Sequence, residues 1–116
     1  MTHLSDGLTQ RLLAFRKERE WEQFHNPRTL ASALCIEASE LLEFFTWAKD
    51  TDVQEIVGSR KVDIEHEVAD VAILLAYLCH DLGIDLEAAV SRKLELNALK
   101  YPVEKSRGRS TKYTQL

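Results

Sequence analysis

Apolar residues recur at helical spacing along most of the chain, and short polar segments separate the runs. Leu8, Leu12 and Phe15 show the pattern near the amino end, since residues three and four apart share one helix face. We therefore predict an all-α fold with four main helices and one short connecting helix. The predicted ranges are 5–21, 28–47, a short helix from 51 or 52 to 56, 60–82 and 86–100.

Turn and capping residues set these boundaries. Asn26-Pro27 marks a turn, because the residue before a proline is disfavoured in the α region. Gly83 has the position of a residue that ends a helix in the left-handed conformation, and Asp85 can cap the helix that follows. Residues 103–116 then form a polar, basic tail, which we expect to be poorly ordered, as we do residues 1–7.

Two acidic pairs lie on apolar helix faces. In the second predicted helix, Glu37 and Glu40 fall within the apolar arc, whereas Glu43 falls on the solvent side. In the long helix, Glu67 projects from the apolar stripe and Asp70 lies at its edge. Acids three apart project from one side of a helix, so two such helices packed together would aim four carboxylates at a common point.

Four inward carboxylates require a counter-charge, because burying an unpaired carboxylate is costly and the chain offers few inward cations. Mg²⁺ prefers carboxylate ligands and keeps positions for water and for phosphate oxygens. Without a metal we expect raised carboxylate pKa values and reduced stability. The sequence therefore predicts a Mg²⁺ site formed by Glu37, Glu40, Glu67 and Asp70, and chemistry on a phosphorylated ligand.

Other side chains suit a nucleotide. Lys93 and Asn97 share a face of the last predicted helix with Tyr101. A lysine there either extends its ammonium group to solvent or meets a phosphate, and the asparagine can hydrogen-bond a sugar or a base. Trp21 and Trp47 stand at predicted helix ends, where they are either core residues or flat rings that stack on a nucleobase.

Composition narrows the class of partner. The chain has 116 residues, of which 45% are hydrophobic, so we expect one domain over 1–116. A net charge of −4 argues against a nucleic acid polymer. With no signal peptide and no apolar run of about 18 residues, we expect a cytoplasmic protein without a membrane partner. Cys35 and Cys79 lack metal-binding spacing and are interpreted as buried thiols of a reducing compartment.

Five segments carry a more specific pattern. They are EREWEQFHNPR at 18–28, ExxELxExxxW at 37–47, EHEVADV at 65–71, KxxxNxxxYP at 93–102 and KYT at 112–114. In this order and spacing they resemble the all-α MazG-like nucleoside triphosphate pyrophosphohydrolases, in particular the branch that contains dCTP pyrophosphatase. An ExxE and an ExxD pair alone would be a weak signal, whereas five spaced segments are a strong one.

The resemblance implies hydrolysis of nucleoside triphosphates between the α and β phosphates, and a helical bundle completed by assembly into homodimers or homotetramers. It also implies roles for particular residues. Glu37, Glu40, Glu67 and Asp70 would bind Mg²⁺. Trp21, His25 and Trp47 would border the base, and Lys93, Asn97 and Tyr101 would contact the nucleotide.

The mechanism that we predict has a water molecule attack the α phosphorus. Bound Mg²⁺ would neutralise charge and lower the pKa of that water. Glu40 or Glu37 would be the catalytic residue that orients or deprotonates the water. Lys93, with Arg109 or Lys112 of the tail, would hold the departing pyrophosphate.

The preferred base stays open at this point. Leu12 and Leu74 stand where animal members of the branch carry a histidine and a tyrosine. dCTP or modified dCTP is the first expectation, and a broader set of noncanonical or surplus dNTPs is the second. Either would make the protein a house-cleaning enzyme of the nucleotide pool.

Two other functions are compatible with buried acids. A noncatalytic interaction module would use the acids in interhelical ion pairs. A di-iron carboxylate bundle would require Glu-x-x-His on two helices, whereas this chain offers only Asp63-x-x-His66.

Overall fold

The structure, a computed structural model, describes residues 4–116, and within that range every regular element is a helix or a 3₁₀ turn. The all-α prediction is confirmed. The helices are α1 (Asp6–Glu18), α2 (Pro27–Glu43), α3 (Val53–Ser59), α4 (Lys61–Leu82), α5 (Leu86–Lys100) and α6 (Val103–Ser106), and the 3₁₀ turns are Trp21–Phe24, Asp50–Asp52 and Tyr113–Gln115.

Helix α1 is shorter than predicted. Ser5 caps its start by accepting a hydrogen bond from the backbone N–H of Leu8 at 3.2 Å. It ends at Glu18 because Glu20 adopts a left-handed conformation with φ 55°, which an α-helix cannot contain. Trp21 therefore lies in a 3₁₀ turn. Of the predicted disordered residues 1–7, residues 1–3 lie outside the described range, whereas 6 and 7 belong to α1.

Helix α2 begins where the sequence predicted a turn. The Asn26 side chain accepts from the backbone N–H of Thr29 at 2.9 Å, and the Thr29 hydroxyl accepts from that of Asn26 at 3.0 Å. This reciprocal capping, with Pro27 at the first helical position, fixes the start. The helix ends at Glu43, before the predicted 47, because three-residue turns follow: Phe45 N–H donates to the Leu42 carbonyl.

The later helices follow local signals closely. α4 ends at Leu82 as predicted, since Gly83 takes φ 64° and donates to the carbonyls of Cys79 and His80. Asp85 caps α5 by accepting from the N–H of Ala88, and α5 spans the predicted range. α3 is longer than predicted, because Gly58 continues the helix instead of ending it.

The described chain divides into two compact units, residues 4–83 and Ile84–Leu116, and the prediction of a single domain stays a prediction. In the first unit α2 and α1 both pack against α4. Three side chains between residues 4 and 116 are buried: Leu30, Tyr77 and Arg16. The Tyr77 hydroxyl donates to the carbonyl of Leu12 at 2.7 Å, which ties α4 to α1.

Two further expectations are wrong. Cys35 is exposed rather than buried, although Cys79 is half-buried. The predicted disordered tail carries α6 and a 3₁₀ turn, and the rings of Tyr101 and Tyr113 pack edge to face at 5.9 Å within the second unit. No helix within residues 4–116 combines the length and apolar character needed to cross a membrane.

Candidate functional site

The packing of α2 against α4 brings the predicted acids together. One carboxylate oxygen each from Glu37, Glu67 and Asp70 lies within 4.8 Å of the other two. Glu37 and Glu67 are half-buried and Asp70 is exposed. Glu40 lies outside this group of three, but it is half-buried and its carboxyl is close enough to raise the pKa of Glu37. Glu43 is exposed, as its angular position predicted.

The electrostatics of this cluster are unfavourable without a further partner. Burial raises the pKa of Glu37 to about 7, and contacts with the carboxyl groups of Glu67 and Glu40 add to the shift. The Oε2 atoms of Glu37 and Glu67 are buried and have no hydrogen-bond partner. Ionised carboxylates only accept hydrogen bonds, so a proton or a cation must lie between these oxygens to stabilise them.

The donor set fits a hard divalent cation. Ligands of an octahedral Mg²⁺ ion, each at about 2.1 Å, are about 3.0 Å apart when adjacent and about 4.2 Å apart when opposite. The three oxygens, which lie within 4.8 Å of one another, can reach these separations by side-chain rotation. The ion pairs within residues 4–116 join other acids to Arg16, Arg19 and Arg60. Interhelical ion pairs therefore do not explain the acids. No histidine belongs to the group in the described chain, which argues against a di-iron centre.

A cavity of about 330 Å³ adjoins the acids. Its wall is aromatic and aliphatic, and the rings of Phe15 and Trp21 pack edge to face in it at 5.7 Å. Because two of the acids also line it, a ligand there would present one end to an apolar wall and the other to carboxylates. The lining residues are Leu12, Phe15, Trp21, His25, Glu37, Asp70, Ile73, Leu74 and Tyr77.

The structure separates the other predicted site residues into three groups. Trp21 and His25 line the cavity. Trp47 does not line it: it follows α2 in a turn, and 95% of its surface is exposed. The remaining five belong to the second unit, and their role at the site stays a prediction. They are Lys93, Asn97, Tyr101, Arg109 and Lys112.

Sequence reasoning missed a charged pair behind the cavity. The guanidinium of buried Arg16 donates to the carboxylate of Asp81 at 3.0 Å and contacts Nδ1 of His25 at 3.2 Å. The hydrogen bond from Arg16 lowers the pKa of Asp81. One signal was available: Arg16 follows Leu12 by four residues and Asp81 follows Tyr77 by four, so both charges continue inward stripes.

Comparisons with known proteins give a family match and several relatives. Residues 33–116 match the MazG-like family. The chain is 42% identical over 104 residues to dCTP pyrophosphatase 1 of Mus musculus and 39% identical over 104 residues to that of Homo sapiens, matches that cover 88% of this chain. The chain spans about three fifths (61%) of the length of these curated relatives. A crystal structure of a pyrophosphatase from Archaeoglobus fulgidus superposes with a TM-score of 0.81 at 41% identity, covering 86% of this chain and 95% of that one.

The raised pKa of Glu37 predicts how stability depends on pH. Between the ordinary value of 4.5 and about 7, the folded protein keeps a proton that the unfolded chain has released. The stability that this group contributes is therefore complete below about pH 4.5 and is lost as pH rises through about 7. Mg²⁺ competes with this proton for the carboxylate oxygens of Glu37. The stabilising effect of Mg²⁺ should therefore be larger at about pH 8 than at about pH 6.

Thermal unfolding with and without MgCl₂ at both pH values measures this effect. Glu37→Gln should abolish the pH dependence of the Mg²⁺ shift, whereas Glu43→Gln, at an exposed position of the same helix, should preserve it. A Mg²⁺ shift that is equal at the two pH values, and unchanged in Glu37→Gln, would contradict the assignment.

Proposed function

The chain belongs to the MazG-like family, and from this premise we propose that it hydrolyses nucleoside triphosphates between the α and β phosphates to give a monophosphate and pyrophosphate. The observation that carries the proposal is the meeting of the acid cluster with the apolar cavity, since Glu37 and Asp70 belong to both. A nucleotide is divided in the same way: its flat base suits the apolar wall, and its anionic phosphates suit a cation held by the carboxylates. The names of the curated relatives and of the archaeal structure support the same reaction.

The proposed cofactor is Mg²⁺, held by Glu37, Glu67 and Asp70 with Glu40 beside them. The unpartnered oxygens of Glu37 and Glu67 support this assignment, because a cation replaces the missing donors. The chemistry that Mg²⁺ supplies when bound is neutralisation of phosphate charge and acidification of water. Glu37 must then be ionised, so the proton that it holds at its raised pKa is displaced on binding.

We assign the proton-accepting role to Glu40 before Glu37. Glu40 lies outside the group of three close carboxylates, so its oxygens stay available to orient or deprotonate the attacking water. Lys93, Asn97 and Tyr101 are proposed to contact the nucleotide. Arg109 and Lys112 are the proposed contacts of the departing pyrophosphate, because their charges suit an anionic leaving group.

The base would occupy the apolar cavity. Its volume of about 330 Å³ suits a ligand of the size of a nucleoside, and the aromatic side chains of Trp21 and Phe15 offer surfaces for stacking. Leu12 and Leu74 both line this cavity. Because a leucine side chain has no hydrogen-bond donor, neither can donate to the base. We propose dCTP or modified dCTP as the substrate, with Trp47 as a further neighbour of the base, and a broader set of noncanonical dNTPs as the second choice.

A product assay tests the reaction. With dCTP and MgCl₂, the direct products should be dCMP and pyrophosphate, and a panel of canonical and modified dNTPs and NTPs should rank the bases. Separation of the nucleotide products by chromatography, together with assays for pyrophosphate and orthophosphate, distinguishes the outcomes. Orthophosphate with dCDP as the direct products would refute cleavage between the α and β phosphates.

Substitution of Glu40, the proposed proton acceptor, tests the catalytic role. Glu40→Gln keeps the size of the side chain but removes proton acceptance, so kcat should fall by about 10²- to 10⁴-fold. Glu43→Gln, one helical turn away on the exposed side, should keep the wild-type kcat. Steady-state kinetics with dCTP measure both, and an undiminished rate in Glu40→Gln would remove this residue from the mechanism.

We also propose that the chain assembles as a homodimer or a homotetramer. Large apolar side chains on α2 and α4 are more than half exposed, which is unusual for the surface of a monomer: Ile36, Leu42 and Val62. Analytical ultracentrifugation should give a mass two or four times 13.3 kDa. Val62→Asp should shift the protein toward the monomer, whereas Glu55→Lys on the exposed surface of α3 should not. A wild-type monomer at micromolar concentration would contradict the proposal.

A further inference from the structure

Arg16 is a buried charge at a fixed position. Only 4% of its surface is exposed, and its guanidinium makes two parallel hydrogen bonds with the carboxylate of Asp81, one of them at 3.0 Å. Its Cζ atom also lies 4.7 Å from the centre of the Tyr77 ring. A bidentate pair with a ring stacked against it restrains both the position and the plane of the guanidinium.

This guanidinium determines the state of a neighbouring histidine. One of its terminal nitrogens lies 3.2 Å from Nδ1 of His25. An arginine side chain donates hydrogen bonds, never accepts them and stays charged, so Nδ1 of His25 must be the acceptor and can carry no proton. The imidazole is therefore neutral with its proton on Nε2. Burial lowers the pKa of His25, and the positive charge of Arg16 lowers it further.

The other edge of His25 is available to a ligand. Its ring contributes to the wall of the 330 Å³ cavity and packs at 5.4 Å from the ring of Tyr77. Nδ1 is occupied by Arg16, which leaves Nε2 as the ring nitrogen for a ligand. Arg16 and Asp81 do not line this cavity but a second one, of about 530 Å³, and His25 lines both. The pair therefore acts on the first cavity through His25.

We propose that Arg16, clamped by Asp81, is a positioning residue that fixes the proton of His25 on Nε2, so that the cavity presents a hydrogen-bond donor to an acceptor on the nucleobase. This inference rests on the proposed function, because it takes the ligand to be a nucleotide. Trp21, which lines the same cavity, carries a second donor in its indole N–H, whereas the side chains of Leu12 and Leu74 carry none. The cavity would select a base edge that presents carbonyl oxygens or unprotonated ring nitrogens, as O2 and N3 of cytosine do.

The state of His25 can be measured without nucleotide. Long-range ¹H–¹⁵N spectra of the full chain with ¹⁵N-labelled histidine, at about pH 8, distinguish the two tautomers. His25→Gln identifies the signals of this residue. We expect wild-type His25 to be protonated on Nε2 alone. A proton on Nδ1 in the wild-type protein would overturn the proposal.

The matched variants separate positioning from general damage. Removing one partner of a buried ion pair can prevent folding, whereas removing both charges is tolerated better, so the main variant is the double change Arg16→Met with Asp81→Asn. In this variant His25 should populate both tautomers and its pKa should rise. Asp63→Asn breaks the exposed ion pair with Arg60 on the same helix as Asp81 and should leave the His25 signals unchanged. Identical His25 spectra in the double variant and in the wild type would overturn the role of Arg16.

Binding assays then connect the histidine to the base. In calorimetry with MgCl₂, the double variant should bind a nonhydrolysable α,β-methylene analogue of dCTP about tenfold more weakly, the worth of one hydrogen bond. Its affinity for inorganic tripolyphosphate, which has no base, should not change. With dCTP as substrate, KM should rise and kcat should stay close to that of the wild type.

Three outcomes decide the matter. Equal weakening for the analogue and for tripolyphosphate would overturn the proposal, because Arg16 would then act on the phosphates or on the fold. Unchanged affinity for the analogue would overturn the link to the base. If the wild-type protein binds neither compound, the proposed function fails and the base assignment fails with it, while the spectra still decide whether Arg16 fixes His25.

Discussion

The packing of α2 against α4 is the interaction on which the rest of the site depends. It places Glu37 and Glu67 so that a buried oxygen of each lacks any donor, and it brings Asp70 close enough to add to the rise in the pKa of Glu37 that Glu40 causes from the same helix. A helix pair that served stability alone would fill this position with apolar side chains, since a buried acid cluster opposes folding. The fold therefore carries a local destabilisation that only a proton or a cation relieves.

The contact between α1 and α4 places an aromatic wall beside the acid cluster. Two hydrogen-bonded contacts, one helical turn apart, join α1 to α4. The Tyr77 hydroxyl donates to the Leu12 carbonyl, and the Arg16 guanidinium donates to the Asp81 carboxylate. They hold α1 in a fixed register, and the chain then turns at Glu20 so that Trp21 returns toward the same face. An aromatic wall beside an acidic one is thus a consequence of how three helices meet, and it suits the two ends of a nucleotide on the proposed function.

The sequence predicts those parts that local chemistry determines. α4 and α5 end and begin where Gly83 and Asp85 dictate, and the contrast between Glu37 and Glu43 follows from the helical period alone. The sequence places the ends of α1 and α2 three and four residues beyond their observed positions, because apolar periodicity continues past them. The left-handed conformation of Glu20 carries no signal in the composition. The cavity depends on tertiary contacts between α1 and α4, which no local pattern specifies. Arg16 was missed since charged residues are rarely fully buried, although its spacing was informative.

The small core explains why the stability of the fold depends on what binds at this site. Within residues 4–116 only Leu30, Tyr77 and Arg16 are buried, and one of these is charged, so a single chain has little apolar burial with which to offset the acid cluster. Ligands that bind only the folded state add stability by mass action, and so do partner subunits. On the proposed function, metal, nucleotide and a second copy of the chain would each stabilise the fold. Stability would then be greatest in the state that performs the reaction, because the groups that destabilise the isolated chain are the ones that bind.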